Sequence, residues 1–209
     1  MVTNETDELP TRERILREAS RLFAIKGYHG TSTREIAEAV EIRQPSLFHH
    51  FPSKATIMGE LIDASNDEAA AVARQQASAD GSAALRLYRY LVWDIAYICR
   101  CPYDLTSVES VLSDPAFLGK TAGHRALIEA RRSMIEEAIE SGEFVDVDAD
   151  LAEKAVVWIV RGDIADTAGR VAPDAGRIAT QLASFVLRAL LRDPSQLDSI
   201  KAQVGDAVG

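Results

Sequence analysis

Between Thr31 and Lys54, in the stretch TSTREIAEAVEIRQPSLFHHFPSK, several side chains that bind without reacting stand close together. Gln44 carries an amide that donates and accepts at once, and Ser46 a hydroxyl. Arg43, His50 and Lys54 carry a positive charge or can acquire one. A side-chain amide pairs bidentately with adenine, and cations pair with phosphate oxygens. The set fits noncovalent reading of duplex DNA. The chemistry of catalysis is not recognisable in the chain: there is no nucleophile–base constellation, no Gly-rich phosphate loop, and no paired histidines or carboxylates at metal spacing. The expectation is a protein that is not an enzyme and uses no cofactor and no metal; a helical enzyme with an accessory DNA-like motif is the weaker alternative.

These residues need a rigid mount, and the same stretch supplies one. Ser32 with Glu35 three residues on is a capping-box pattern, so a helix is predicted from Thr33. Ile36, Ala37 and Val40 give it one apolar stripe, and Ile42 is expected to plug the turn. Pro45 suits the first turn of a second helix, where its missing N–H has no helical partner anyway. Leu47 and Phe51 form that helix's inward face, and Ser53 caps the next one. Two short helices and a tight turn make a helix-turn-helix, whose second helix enters the major groove.

A helix from Thr11 to Gly27, with Ile15, Leu16, Ala19, Leu22 and Phe23 on one face, completes a three-helix core. Thr11 is expected to cap it and Gly27 to stop it. The net charge of −9 is unevenly spread. Residues 11–60 hold eight Lys and Arg against six Asp and Glu, while residues 61–209 hold fifteen against twenty-three. The positive excess sits with the motif, and the acidic remainder suits a body turned away from DNA.

The resemblance is specific from Ile15 to Lys54. Ile15, Ala19, Leu22, Phe23, Gly27, Thr31, Ile36 and Ala37, followed by Gln44-Pro45-Ser46-Leu47-Phe48, Phe51 and Lys54, resemble the N-terminal domain of the TetR family of transcriptional repressors. The resemblance implies a dimeric, all-α regulator that leaves double-stranded operator DNA when a small-molecule effector binds its C-terminal domain. It places Thr33, Arg34, Gln44, Pro45, Ser46, His50 and Lys54 at or near DNA. Two positions depart from the family. Glu41 stands where the turn usually has Gly, so it must adopt that backbone at a cost or shift the turn. Phe48 stands where Tyr is common; it lacks the hydroxyl and reads as a packing residue.

The expected layout is a disordered tail (1–10), a helix-turn-helix domain (11–53), and a larger helical ligand-binding and dimerisation domain (54–209). The tail is acidic and has no secretory signal pattern. No apolar run is long enough to span a membrane, and a cytoplasmic location is expected. Cys99 and Cys101 read as buried thiols. A connecting helix should run from Ser53 to about Ala79, with an Ala-rich second half, and another from Ser82 to Arg100. On the latter, Tyr90, Trp93 and Tyr97 form an aromatic stripe that reads equally as core or as a cavity lining. With Arg100 and Trp158 they are the effector-pocket candidates. Short helical structure is expected near 105–112, then helices at 115–141, 151–169 and 173–192, and a short one through Ile200. Of the polar positions His124, Arg125, Arg131 and Arg132, most are expected to be solvated. Asp146, Asp148 and Asp150 read as a helix start rather than a calcium loop, which would need a glycine and a distal glutamate. The last two long helices carry more apolar surface than one small domain needs. They are the expected homodimer interface, since one recognition helix spans too few base pairs for specificity. Repressor, activator and ligand-independent regulator are not distinguished by residues.

Overall fold

A computed structural model of the chain describes residues 9–104, 108–111, 114, 117, 121–164 and 174–204. Among these the regular structure is all-α: α1 (Thr11–Lys26), α2 (Thr33–Ala39), α3 (Gln44–His50), α4 (Lys54–Ala77), α5 (Ala83–Arg100), α6 (Val108–Val111), α7 (Thr121–Glu140), α8 (Ala149–Ile164), α9 (Ala175–Leu190) and α10 (Leu197–Val204). The chain divides into two compact units.

The first unit takes residues up to Ser65 and the segment from Cys101 to Thr121. Ile15, Ala19 and Phe23 from α1, Ile36 from α2, Leu47 from α3, Phe51 beyond it, and Ile57 and Leu61 from α4 are all buried in one core. Full burial of one of the larger of these side chains, Ile, Leu or Phe, contributes about 1.5–3 kcal/mol. Cys101, Val108, Val111 and Phe117 join the same core. Helix α1 is preceded by Pro10, not capped by Thr11; the N–H groups of Glu13 and Arg14 donate to the Pro10 carbonyl. It ends at Gly27, whose φ of 74° suits a residue without Cβ, and the Gly27 N–H closes onto the Phe23 carbonyl.

The second unit is built on α5, which packs chiefly against α9 and also against α8 and α10. Leu87, Tyr88, Leu91 and Ile95 of α5 meet Ala179, Ala183, Val186 and Leu187 of α9 in its core. Ala69, Ala70 and Ala73 of α4 belong to this core, so the Ala-rich half buries small side chains. Gly142, with φ 77°, ends α7, and a single antiparallel bridge joins Phe144 to Leu191. Asp148 caps α8 by accepting from the Leu151 N–H at 2.8 Å, the predicted helix-start role of this acidic run. Residues 165–169 of the helix predicted over 151–169, and the Pro173 expected to open the next, lie outside the described residues, as do most of 115–120 and the 1–8 tail. No helix among the described residues is long and apolar enough to cross a membrane.

Of the four polar positions on α7, Arg125 and Arg132 are exposed and His124 is half-exposed, while Arg131 is the exception and is buried. Arg131 sits on the same α7 face as Leu127 and Ile135, four residues to either side, and its charge is met by Glu153. Ile42 is half-buried rather than a closed plug. Its N–H donates back to the Ala37 carbonyl at 2.9 Å, so the turn is closed mainly by backbone.

Candidate nucleic-acid interface

Helix α2 is started by its own side chains. The Ser32 hydroxyl accepts from the Glu35 N–H at 3.2 Å, and the Glu35 carboxylate accepts from the Ser32 N–H at 2.8 Å. Lys26 also reaches this carboxylate, at 2.6 Å. The Lys26 bond, then the bonds from Ser32, hold the Glu35 pKa down at about 2. At the far end the Arg14 guanidinium donates to the Val40 carbonyl at 2.8 Å, one of the acceptors a helix leaves open. Glu41 follows with φ 59°: the turn is not shifted, and the glutamate adopts the left-handed conformation.

Helix α3 starts after Arg43, which has no side-chain capping bond, and carries Pro45 in its first turn. Leu47 and Phe51 are completely buried, which orients the rest of the helix. Arg43, Pro45, Ser46, His49 and His50 are exposed. Gln44 is half-buried, and its amide nitrogen donates to the Thr33 hydroxyl at 2.9 Å. That bond ties the first residue of α3 to the first of α2 and holds the amide in place, with its oxygen still able to accept. Arg34 is exposed and paired with Glu38 at 2.8 Å, a link that solvent and salt screen easily.

Lys54 opens α4 and turns inward to the loop before α2. Its ammonium donates to the carbonyls of Tyr28 and Thr31 at 2.6 and 2.7 Å and lies 4.3 Å above the Tyr28 ring. Burial lowers its pKa from the ordinary lysine value. Thr31 is buried, with its hydroxyl bonded to the Leu22 and Gly27 carbonyls. Tyr28 packs edge-on against Phe23 and Phe117, and His29 pairs with Asp114 at 3.0 Å. The predicted DNA-side residues therefore gather on α2, α3 and the start of α4, and a bracing role for Lys54, Thr31 and Tyr28 was not read from sequence. Lys54 lies far along the chain from the carbonyls it holds, and residue spacing carries no signal for that.

Phe48 is not a packing residue. It is 44% exposed on α3. A signal was present: Leu47 and Phe51 already fill the inward stripe, so the residue after Leu47 must lie off it.

The aromatic candidates of the second unit part company. Tyr90 is completely buried, whereas Trp93 and Tyr97 are half-buried and stacked with ring centroids 5.1 Å apart. Arg100 is exposed, and Trp158 is 77% exposed. Trp158 lies off the core because the inward stripe of α8 is taken by Ala152, Val156 and Val160. Around Tyr90 stands a polar cluster that went unrecognised in the sequence: Asp94 one turn along α5, Arg131 from α7 and Glu153 from α8. The guanidinium Nε and a terminal nitrogen of Arg131 both donate to Glu153 Oε1, at 3.0 and 2.5 Å. The Tyr90 hydroxyl meets no hydrogen-bond partner at good geometry, though Asp94 and Arg131 face it, and burial keeps its phenol protonated.

Residues 15–61 match the family model described as bacterial regulatory proteins, tetR family. Over 169 residues the chain is 24% identical to the HTH-type transcriptional regulator UidR of Escherichia coli, covering 78% of this chain and 84% of UidR. It is 39% identical over 51 residues to IcaR of Staphylococcus aureus, the biofilm operon icaADBC HTH-type negative transcriptional regulator, covering 24% of this chain and 27% of IcaR. The crystal structure of Mycobacterium smegmatis AmtR superposes with a TM-score of 0.76 at 27% identity, over 96% of this chain and 97% of AmtR.

Proposed function

Starting from a chain that belongs to the TetR family of DNA-binding transcriptional regulators, we propose that it works as a homodimeric repressor, released from its operator by a small-molecule effector. The observation that carries the DNA-reading half is α3: a short helix pinned by Leu47 and Phe51, with Arg43, Pro45, Ser46, His49 and His50 turned to solvent. Gln44 reads a base; Thr33, Arg34, Arg43, Ser46, His50 and Lys54 meet phosphates or flanking groups, and Pro45 packs on the groove. Phosphate contacts make the affinity fall steeply with salt. The sign of regulation draws support from IcaR, which is named a negative regulator. A cytoplasmic location and a role without catalysis belong to the same reading.

The two-fold arrangement rests on an uncovered apolar face. On α8, Leu151 and Trp158 are 60% and 77% exposed, and Ala155 between them is exposed; on α9, Phe185 is 62% exposed beside the half-buried Leu182. Pairing α8 and α9 with their copies buries these side chains and gives the dimer two α3 helices; a two-fold operator presents its half-sites about 34–36 Å apart, one turn of DNA. The effector lodges beside Tyr90, Trp93 and Tyr97, where the buried Asp94, Arg131 and Glu153 supply polarity; Arg100 and Trp158 take part only if the effector reaches the surface. Helix α4 contributes Ile57 to Ile62 to one core and Ala69 to Ala73 to the other, which makes it the candidate lever between effector and reading head. An effector acts only by its preference between the two shapes.

A gel-shift series on DNA flanking the chain's own gene, with and without a metabolite panel, tests the reading. Retarded DNA that a metabolite releases supports it. Gln44→Ala is expected to cost about 1–3 kcal/mol on the specific fragment and little on random DNA. Equal losses on both would remove Gln44 from base reading.

A further inference from the structure

Resting on the DNA-reading role of α3, we propose that Phe48 recognises the 5-methyl group of a thymine in the major groove, beside the base met by Gln44. The ring is not spent on the core. Leu47 and Phe51 of the same stretch are completely buried, whereas Phe48 is 44% exposed. Among the described residues it joins none of the ring contacts that hold Phe23, Tyr28 and Phe117 together. Its outward neighbours Ser46, His49 and His50 are polar, so the ring is the large apolar group that α3 offers to a ligand.

Position and chemistry select the partner. Residues four apart on a helix lie one above the other, so Phe48 stands on the flank of α3 that Gln44 occupies one turn earlier. Phenylalanine has no donor or acceptor, so it can bond neither to phosphate nor to a polar base edge. Among the groups that base pairs display in the major groove, the thymine C5-methyl is the apolar one, and Phe is a side chain that meets it. Gln44 pairs with an adenine edge and Phe48 covers a methyl, so the half-site contains both an adenine and a thymine within the reach of one helical turn.

The test starts with the full-length wild-type chain selecting duplexes from a random pool. The enriched duplex is then remade with dU in place of each dT, at symmetric positions, which removes the methyl and leaves the base pairing. At one position per half-site the wild type is expected to bind about fourfold more weakly for each methyl removed. Phe48→Ala is expected to bind the dT and dU duplexes alike there, and Phe48→Tyr, which keeps the ring, to retain the preference. A wild type indifferent to every methyl overturns the proposal whatever the variants do. So does a Phe48→Ala protein that discriminates as well as the wild type. If no duplex is enriched at all, base reading by α3 fails and this proposal with it; enrichment without a methyl effect removes Phe48 alone.

Discussion

Two residues of the reading head carry costs that can be measured. Glu41 holds φ 59° in the turn between α2 and α3. A side chain with a Cβ is disfavoured there by about 1–2 kcal/mol, part of which glycine returns through its freer unfolded chain. Glu41→Gly is therefore expected to raise stability by about 0.5–1 kcal/mol in urea unfolding. A loss of stability would mean that the carboxylate has a partner worth more than the strain. Lys54 carries two loads. Its ammonium closes on the Tyr28 and Thr31 carbonyls, and it is also a proposed phosphate contact. Lys54→Met is expected to lose about 1–3 kcal/mol of stability, as two carbonyls give up a charged donor, and to weaken binding to all DNA sequences alike. A variant that binds DNA poorly yet melts like the wild type would assign the residue to phosphate alone.

At the scale of the element, α2 depends on a carboxylate at its start. The Glu35 pKa falls from 4.5 to about 2 because Lys26 and Ser32 bond to the ionised form. A depressed carboxylate contributes stability above its unfolded pKa, and that contribution is lost as pH falls through the folded one. The wild type should thus lose part of its thermal stability between pH 4.5 and 2, and Glu35→Gln should flatten that part of the profile. Identical profiles for the two proteins would show that the cap does not hold the ionised form. The helices of the second unit show how patterning is spent. On α5, Leu87, Tyr88, Tyr90, Leu91 and Ile95 are all buried, as an element apolar nearly all round should be. On α8 and α9 the same richness in apolar residues leaves Trp158 and Phe185 outside.

For the whole molecule, those outward residues decide whether one chain suffices. Trp158→Glu and Phe185→Glu each place a charge in the proposed two-fold contact, where an unpaired buried charge costs several kcal/mol. Both variants are expected to sediment as single chains at micromolar concentration while keeping their helical circular dichroism. They should also bind operator far more weakly, since the two heads no longer act as one ligand. Full-strength dimers from both would move the interface elsewhere on the molecule. The uneven charge acts at this scale as well: the acidic excess beyond residue 60 favours contact through the helix-turn-helix end.

The reading head was legible in the chain because each of its determinants is local. The Ser32–Glu35 cap, Pro45 in a first turn, Gly27 at a stop, and the pair Leu47 and Phe51 all act over three or four residues, and the structure keeps every one. Burial in the second unit was not legible to the same degree. Arg131 looked like a solvated cation until Glu153 came from another helix to meet it, and Trp158 looked like a pocket wall until α8 turned it outward. The segment after Cys101 likewise belongs to the first core only because the folded chain returns there. Periodicity marks which face of a helix is apolar. How helices distant in sequence are rotated against one another decides which faces are covered, and that rotation is set by the packing of all of them together.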